Sequence, residues 1–220
     1  MDKRIPTSIF TYKEELENLA GKEILIVDYQ GTAYFDSNQT IYVSLESTNT
    51  LEEKLFHELT HVYFRYNDYP SFSVLSSITG TDRDIIQKLV SFPEELLVDS
   101  YLGTRGFPFD DTFYESVFYQ VITSVDVANP LNKLETALHD LRYIRLLVDK
   151  RHNGQNVQTL KERYISINGI TKWNFISAIS SKIKTSYVSN ISDKEKLKNM
   201  FLVMIESYKL TDKVIINEKT

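Results

Sequence analysis

Cysteine is absent from the 220 residues, which excludes a disulfide framework and any thiolate metal site. A metal held by this chain must be held by His, Asp or Glu. Long hydrophobic runs are missing too. Runs such as Ile24-Leu25-Ile26-Val27 fall far short of the roughly 20 residues needed to span a bilayer, so no membrane partner is expected. The opening segment Met1-Asp2-Lys3-Arg4-Ile5-Pro6-Thr7 lacks the apolar core of a secretory signal. A cytoplasmic protein is therefore the expectation, with export by another signal left open. A basic excess is lacking as well, and the net charge of −5 argues against a general nucleic-acid-binding surface.

What is present is ordinary for a globular protein: 42% hydrophobic and 25% charged residues. The length suffices for one large domain, or for a catalytic lobe with a packed helical extension. Thr7-Ser8 offers a cap for a helix over Phe10 to Ala20, with Gly21 as its stop. Strands are expected over 23–29, 32–35 and 40–44, the last two joined by the turn residues Asp36-Ser37-Asn38-Gln39. Thr50-Leu51-Glu52-Glu53 forms a capping box. From there Leu51, Leu55, Leu59, Val62 and Tyr66 recur at helical spacing. Pro70 marks a loop over 67–73, and helices follow over 82–91 and, restarted by Pro93, over 93–102. Beyond Pro108 the chain is mostly helical. One apolar stripe runs through Leu131, Leu134, Leu138, Leu141 and Val148, a second through Leu197, Met200, Phe201, Met204 and Tyr208. Both are core faces.

The chemistry is concentrated in His57-Glu58-Leu59-Thr60-His61, in the second half of the helix that starts at Leu51. Residues four apart on a helix share a face, so two imidazoles can meet one zinc ion there. Glu58 projects to their flank, where a carboxylate can accept a proton from water held on the metal. A lone His in such a helix is an unremarked surface or core residue. Two of them with an intervening Glu on an amphipathic, capped helix form a metal-site motif.

A catalytic zinc needs a third protein ligand. A third His six residues past His61 is ruled out, because that residue is Asn67. A Gly-Thr-x-Asp form fits poorly: Gly80-Thr81-Asp82 is followed by Arg83, and Asp84 comes one step late. A Glu from a following helix remains, in Phe92-Pro93-Glu94-Glu95-Leu96-Leu97-Val98-Asp99. Glu95 is the leading ligand and Glu94 its rival. Asp99, four residues on from Glu95, can hydrogen-bond the far nitrogen of a ligand His. The plain alternative is that these acids favour a helix N-terminus and solvent.

The strand–turn–strand entry, the His57–His61 motif and the Glu95/Asp99 pair resemble the gluzincin-type zincin metallopeptidases, in the style of the compact ImmA/IrrE-like peptidases. The resemblance covers about residues 23–102. It implies zinc on His57, His61 and Glu95, with Glu58 as general base. It also implies cleavage of a protein or peptide substrate, which in that group is often a regulator. The stretch after Glu95 lacks that group's small-residue pattern, and the C-terminal helices have no counterpart in it.

In such folds an edge strand pairs with extended substrate, and Ile41, Tyr42 and Val43 are the candidates here, against an ordinary half-buried hairpin strand. Tyr101, Arg105 and His139 are candidate oxyanion stabilisers, while His152 suits a helix C-terminus. The expected fold is α+β: a small antiparallel or mixed sheet packed on the active-site helix, then a mostly helical C-terminal region. A catalytic lobe over 1–106 and a helical lobe over 107–220 would pack as one unit. Two functions compete. One is a zinc endopeptidase. The other is a binding or regulatory protein on a zincin scaffold, engaging a protein partner through its helical region or through the aromatic segment 107–119. An intact Glu58 favours the first.

Overall fold

The computed structural model describes residues 3–30, 34–35, 38–46, 51–104, 133–148, 154–186 and 194–217. In chain order the elements are α1 (Thr7–Ala20), β1 (Leu25–Asp28), β2 (Tyr34–Phe35), β3 (Thr40–Val43), α2 (Leu51–Tyr66), β4 (Ser71–Val74), α3 (Gly80–Thr104), α4 (Lys133–Val148), α5 (Gly154–Asn168), α6 (Ile170–Ser186), α7 (Lys194–Ser207) and β5 (Val214–Asn217). The fold is mixed α+β and mostly helical. No helix among the described residues is long and apolar enough to cross a membrane.

α1 ends at Gly21 as expected, in the left-handed conformation at φ 64°, its N–H bonded to the Glu17 carbonyl. Its start differs from the expectation. Pro6 occupies the cap position without a side-chain bond, and the Ser8 hydroxyl instead donates to Glu52 on α2. α2 matches its apolar spacing: Leu51, Leu55, Leu59 and Val62 are buried and share one core with Ile9, Tyr12, Leu16, Ile41 and Val43.

The three-stranded sheet has the order β1-β3-β2, with β1 parallel and β2 antiparallel to β3. This corrects the expected edge strand. Tyr42 is paired with Val27 on one side and Tyr34 on the other, and Ile41 with Ile26 and Phe35. The side chains of Ile41 and Val43 are fully buried, while half-buried Tyr42 packs edge-on against Tyr29. With both flanks occupied at Ile41 and Tyr42, these residues offer no free backbone edge to a substrate; Val43 is paired with Asp28 on the β1 side. Two strands escaped the sequence pattern: β4, in the expected loop after α2, and β5, near the C-terminus, pair antiparallel from Ser71↔Asn217 to Val74↔Val214.

α3 also differs. It runs unbroken from Gly80 to Thr104 with Pro93 inside it, where a break was expected. An interior proline forfeits one helical hydrogen bond, at a cost of about 3 kcal/mol. Apolar burial on either side offsets this, through Ile85, Ile86, Leu89, Val90, Phe92, Leu96, Leu97 and Val98. The two cores meet inside this helix. Residues up to Leu96 belong to the cluster built with α4, α5 and α6, whereas Leu97, Val98 and Leu102 join the cluster of α1, α2 and β3. α7 is divided likewise, with Leu197 and Phe201 in the second cluster and Met200, Met204 and Ile205 in the first. The expected boundary at 106 lies outside the described residues, as do the aromatic segment 107–119 and His152.

Candidate metal centre

α2 sets His57 and His61 on successive turns, with ring centroids 5.0 Å apart and their Nε2 atoms 3.3 Å apart. α3 brings Glu95 against both. Its Oε2 stands 3.2 Å from His57 Nε2 and its Oε1 3.5 Å from His61 Nε2. One nitrogen from each ring and one carboxylate oxygen thus form a group that could hold a metal ion, all within 4.8 Å of one another.

The spacing tests that fit. Donors on a tetrahedral zinc with bonds of roughly 2.0–2.2 Å stand about 3.3–3.5 Å apart; the two Nε2 atoms are 3.3 Å apart, and the Glu95 carboxylate meets each ring with a different oxygen, at 3.2 and 3.5 Å. Two imidazole nitrogens and a carboxylate are also a donor set zinc accepts, with a coordination position left for water or substrate. His57 and Glu95 keep 25% and 36% of their side-chain surface exposed, so solvent reaches this corner.

Glu94 turns away from that point. Its Oε1 lies 2.7 Å from His61 Nδ1, on the ring nitrogen opposite the one facing Glu95. Donation from Nδ1–H to this carboxylate fixes the tautomer and leaves Nε2 with its lone pair for a metal. Of the two rival glutamates, Glu95 approaches the paired Nε2 atoms and Glu94 holds a ring from behind.

Glu58 is only 6% exposed although it is charged in sequence. Burial raises its carboxyl above the ordinary value, the charges of His57 and His61 oppose that rise, and Glu95 adds to it. Burial pulls His61 down, but the hydrogen bond and charge of Glu94, with the charges of Glu95 and Glu58, push the ring up to about 9. Burial likewise works to raise Glu95, yet the hydrogen bond from His57 and the charges of His61, His57 and Arg145 bring it down to about 2.

Asp99 corrects its expected role. It does not hydrogen-bond a ring nitrogen of His57 or His61; its Oδ2 accepts from the Arg145 guanidinium of α4. Burial raises it to about 6, against the lowering charges of Arg145 and His57. Arg145 was not among the sequence candidates. The Tyr101 ring stacks on Tyr63. The His139 ring packs on Tyr143 and Tyr164 of the helical core. Arg105 lies outside the described residues.

Compared with family models, curated proteins and solved structures, the chain matches none.

Proposed function

We propose that the chain is a zinc-dependent metallopeptidase of the zincin class, hydrolysing a peptide bond in a protein or peptide substrate. The observation that carries this reading is the convergence of His57 Nε2, His61 Nε2 and the Glu95 carboxylate, with a buried Glu58, next to His57 in the chain, that the charges of all three act on. The small sheet packed on the helix that bears the histidine pair supports the zincin-like form of the lobe, and the compact ImmA/IrrE-like peptidases are the subgroup proposed. His57, His61 and Glu95 would hold the zinc. When bound, zinc polarises the scissile carbonyl and lowers the pKa of the attacking water.

The chain's own residues do the rest. Glu58 takes the proton of the attacking water and passes it to the departing amine nitrogen, which needs a carboxyl with proton affinity above that of an exposed Glu. Burial supplies that elevation. Glu94 keeps the His61 ring in the ligating tautomer and orientation. A purely structural zinc has no need of a base at Glu58.

The test is metal content and hydrolysis on the full chain. Wild type should carry about one zinc per chain, and His57→Ala and Glu95→Ala should lose it. Glu58→Gln should keep the zinc and lose about 10²- to 10⁴-fold of the rate on a library of quenched-fluorescence peptides. Metal retained in Glu95→Ala would move the third ligand elsewhere. A Glu58→Gln protein that cleaves as well as wild type would end the peptidase reading.

A further inference from the structure

We propose that Arg145, contributed by the helical lobe, is a positioning residue of the metal centre, so that a site assembled on α2 and α3 is completed by α4. The inference rests on the metal-dependent reading above and deepens it.

Asp99 lies one turn beyond Glu95 on α3, so the two carboxylates share a helix face. Asp99 is only 8% exposed, and a carboxylate that deep requires a partner. The partner comes from 46 residues further along the chain, where the Arg145 guanidinium donates to Asp99 Oδ2. This is not an isolated pair on the periphery. Asp99 stands one helical turn from Glu95, whose carboxylate lies 3.2 Å from His57 Nε2, and the charges of His57 and Glu95 act on it there. Glu58, Glu94, Glu95 and Asp99 bring four carboxyl groups to the surroundings of two imidazoles, and Arg145 delivers a cation of the second lobe into that group.

Helix docking does not account for this pair. α3 and α4 already share an apolar core through Leu89, Val90, Ala137, Ile144 and Leu147, and a buried ion pair adds little to stability beyond such packing. Arginine differs from lysine in that its fixed fork orients a carboxylate as well as neutralising it. Held by that guanidinium, the Asp99 carboxylate stays one turn from Glu95, where an outer-sphere anion tunes the basicity of the ligands through its charge. The helical lobe thereby becomes part of the metal centre.

Zinc affinity, measured on the full chain by competition with a chelating indicator, separates the possibilities. It is read for wild type, Arg145→Met, Arg145→Lys, Asp99→Asn and the Arg145→Met/Asp99→Asn pair, with thermal melting of each metal-free protein as the control for folding. Arg145→Met should bind zinc about 10- to 100-fold more weakly, with Arg145→Lys between it and wild type. In the Asp99→Asn background, Arg145→Met should have no further effect. If Arg145→Met does not fold, a several-fold loss of affinity in both Arg145→Lys and Asp99→Asn supports the proposal in its place. Wild-type affinity in folded Arg145 and Asp99 variants overturns the proposal, as does an undiminished Arg145→Met effect in the Asp99→Asn background. A wild-type protein that binds no zinc ends the metal reading and this inference with it. Zinc on wild type with unmoved variants ends this inference alone.

Discussion

Glu94 Oε1 stands 2.7 Å from His61 Nδ1, while Glu95 Oε1 stands 3.5 Å from His61 Nε2. Adjacent residues of one helix thus address opposite nitrogens of the same ring. Glu94→Gln keeps an acceptor at Nδ1 but removes its charge, and outer-sphere changes of this kind cost about 10- to 100-fold in metal affinity. The loss should be largest above pH 9, where His61 has no proton to displace. At neutral pH the gap should narrow, because the variant's ring is less basic and yields to the metal more easily. An affinity independent of Glu94 at every pH would remove it from the site.

The metal-free protein should hold a proton on His61 at neutral pH, since that ring is pushed up to about 9. Zinc requires the neutral imidazole, so binding should release a proton. Its apparent affinity should rise about tenfold per pH unit between roughly pH 7 and 9. Stability runs the other way in the metal-free protein. With the folded value above the ordinary 6.5, the His61 contribution is fully present below pH 6.5 and is lost as pH rises through about 9. Calorimetric titration in two buffers of different ionisation enthalpy reads the proton release; melting temperature against pH reads the second. No proton release at about pH 7.5 would contradict both.

Much of this was legible in the chain. His57, Glu58 and His61 fall on one helix because Leu51, Leu55, Leu59 and Val62 set a period of about 3.6 residues that burial then satisfies. Glu95 was legible from its place on a following helix, but the choice between Glu94 and Glu95 was not. Adjacent residues differ by about 100° around a helix, and only the docking of α3 on α2 decides which one faces the rings. Pro93 misled because its local cost is outweighed by burial on both sides. β4 and β5 were hidden since each is four residues long and gains its identity from a partner over a hundred residues away. Arg145 left one trace. In the series Leu138, Leu141, Arg145, Val148 a cation stands where the helical period wants an apolar residue, and an interrupted stripe of that kind marks a charge with a buried partner.

The central placement of β3 sets what a proline there should do. At Tyr42 it removes a donor from a strand paired on both sides, with Val27 and Tyr34, a position at which proline is essentially not found in sheets. Tyr42→Pro should therefore lower thermal stability sharply. A variant with wild-type melting temperature and altered KM would restore the edge-strand idea.

Phe201 tests whether the two lobes form one cooperative unit. It sits on α7, among the helices that follow residue 106, yet its fully buried ring packs in the core of α1, α2 and β3, edge-on to Phe72 of β4 at 5.9 Å. Phe201→Ala leaves a cavity in the lobe that carries His57 and His61 and should cost about 3–5 kcal/mol. At this chain length each kcal/mol corresponds to roughly 2–4 °C in Tm. Because α3 and α7 each contribute to both cores, calorimetry should show a single transition that moves as a whole. Zinc should raise it in wild type and variant alike, since a ligand of the native state alone stabilises all that unfolds with it. Two resolved transitions, only one of them shifted by the mutation, would mean that the helical lobe melts independently and that α3 does not weld the halves together.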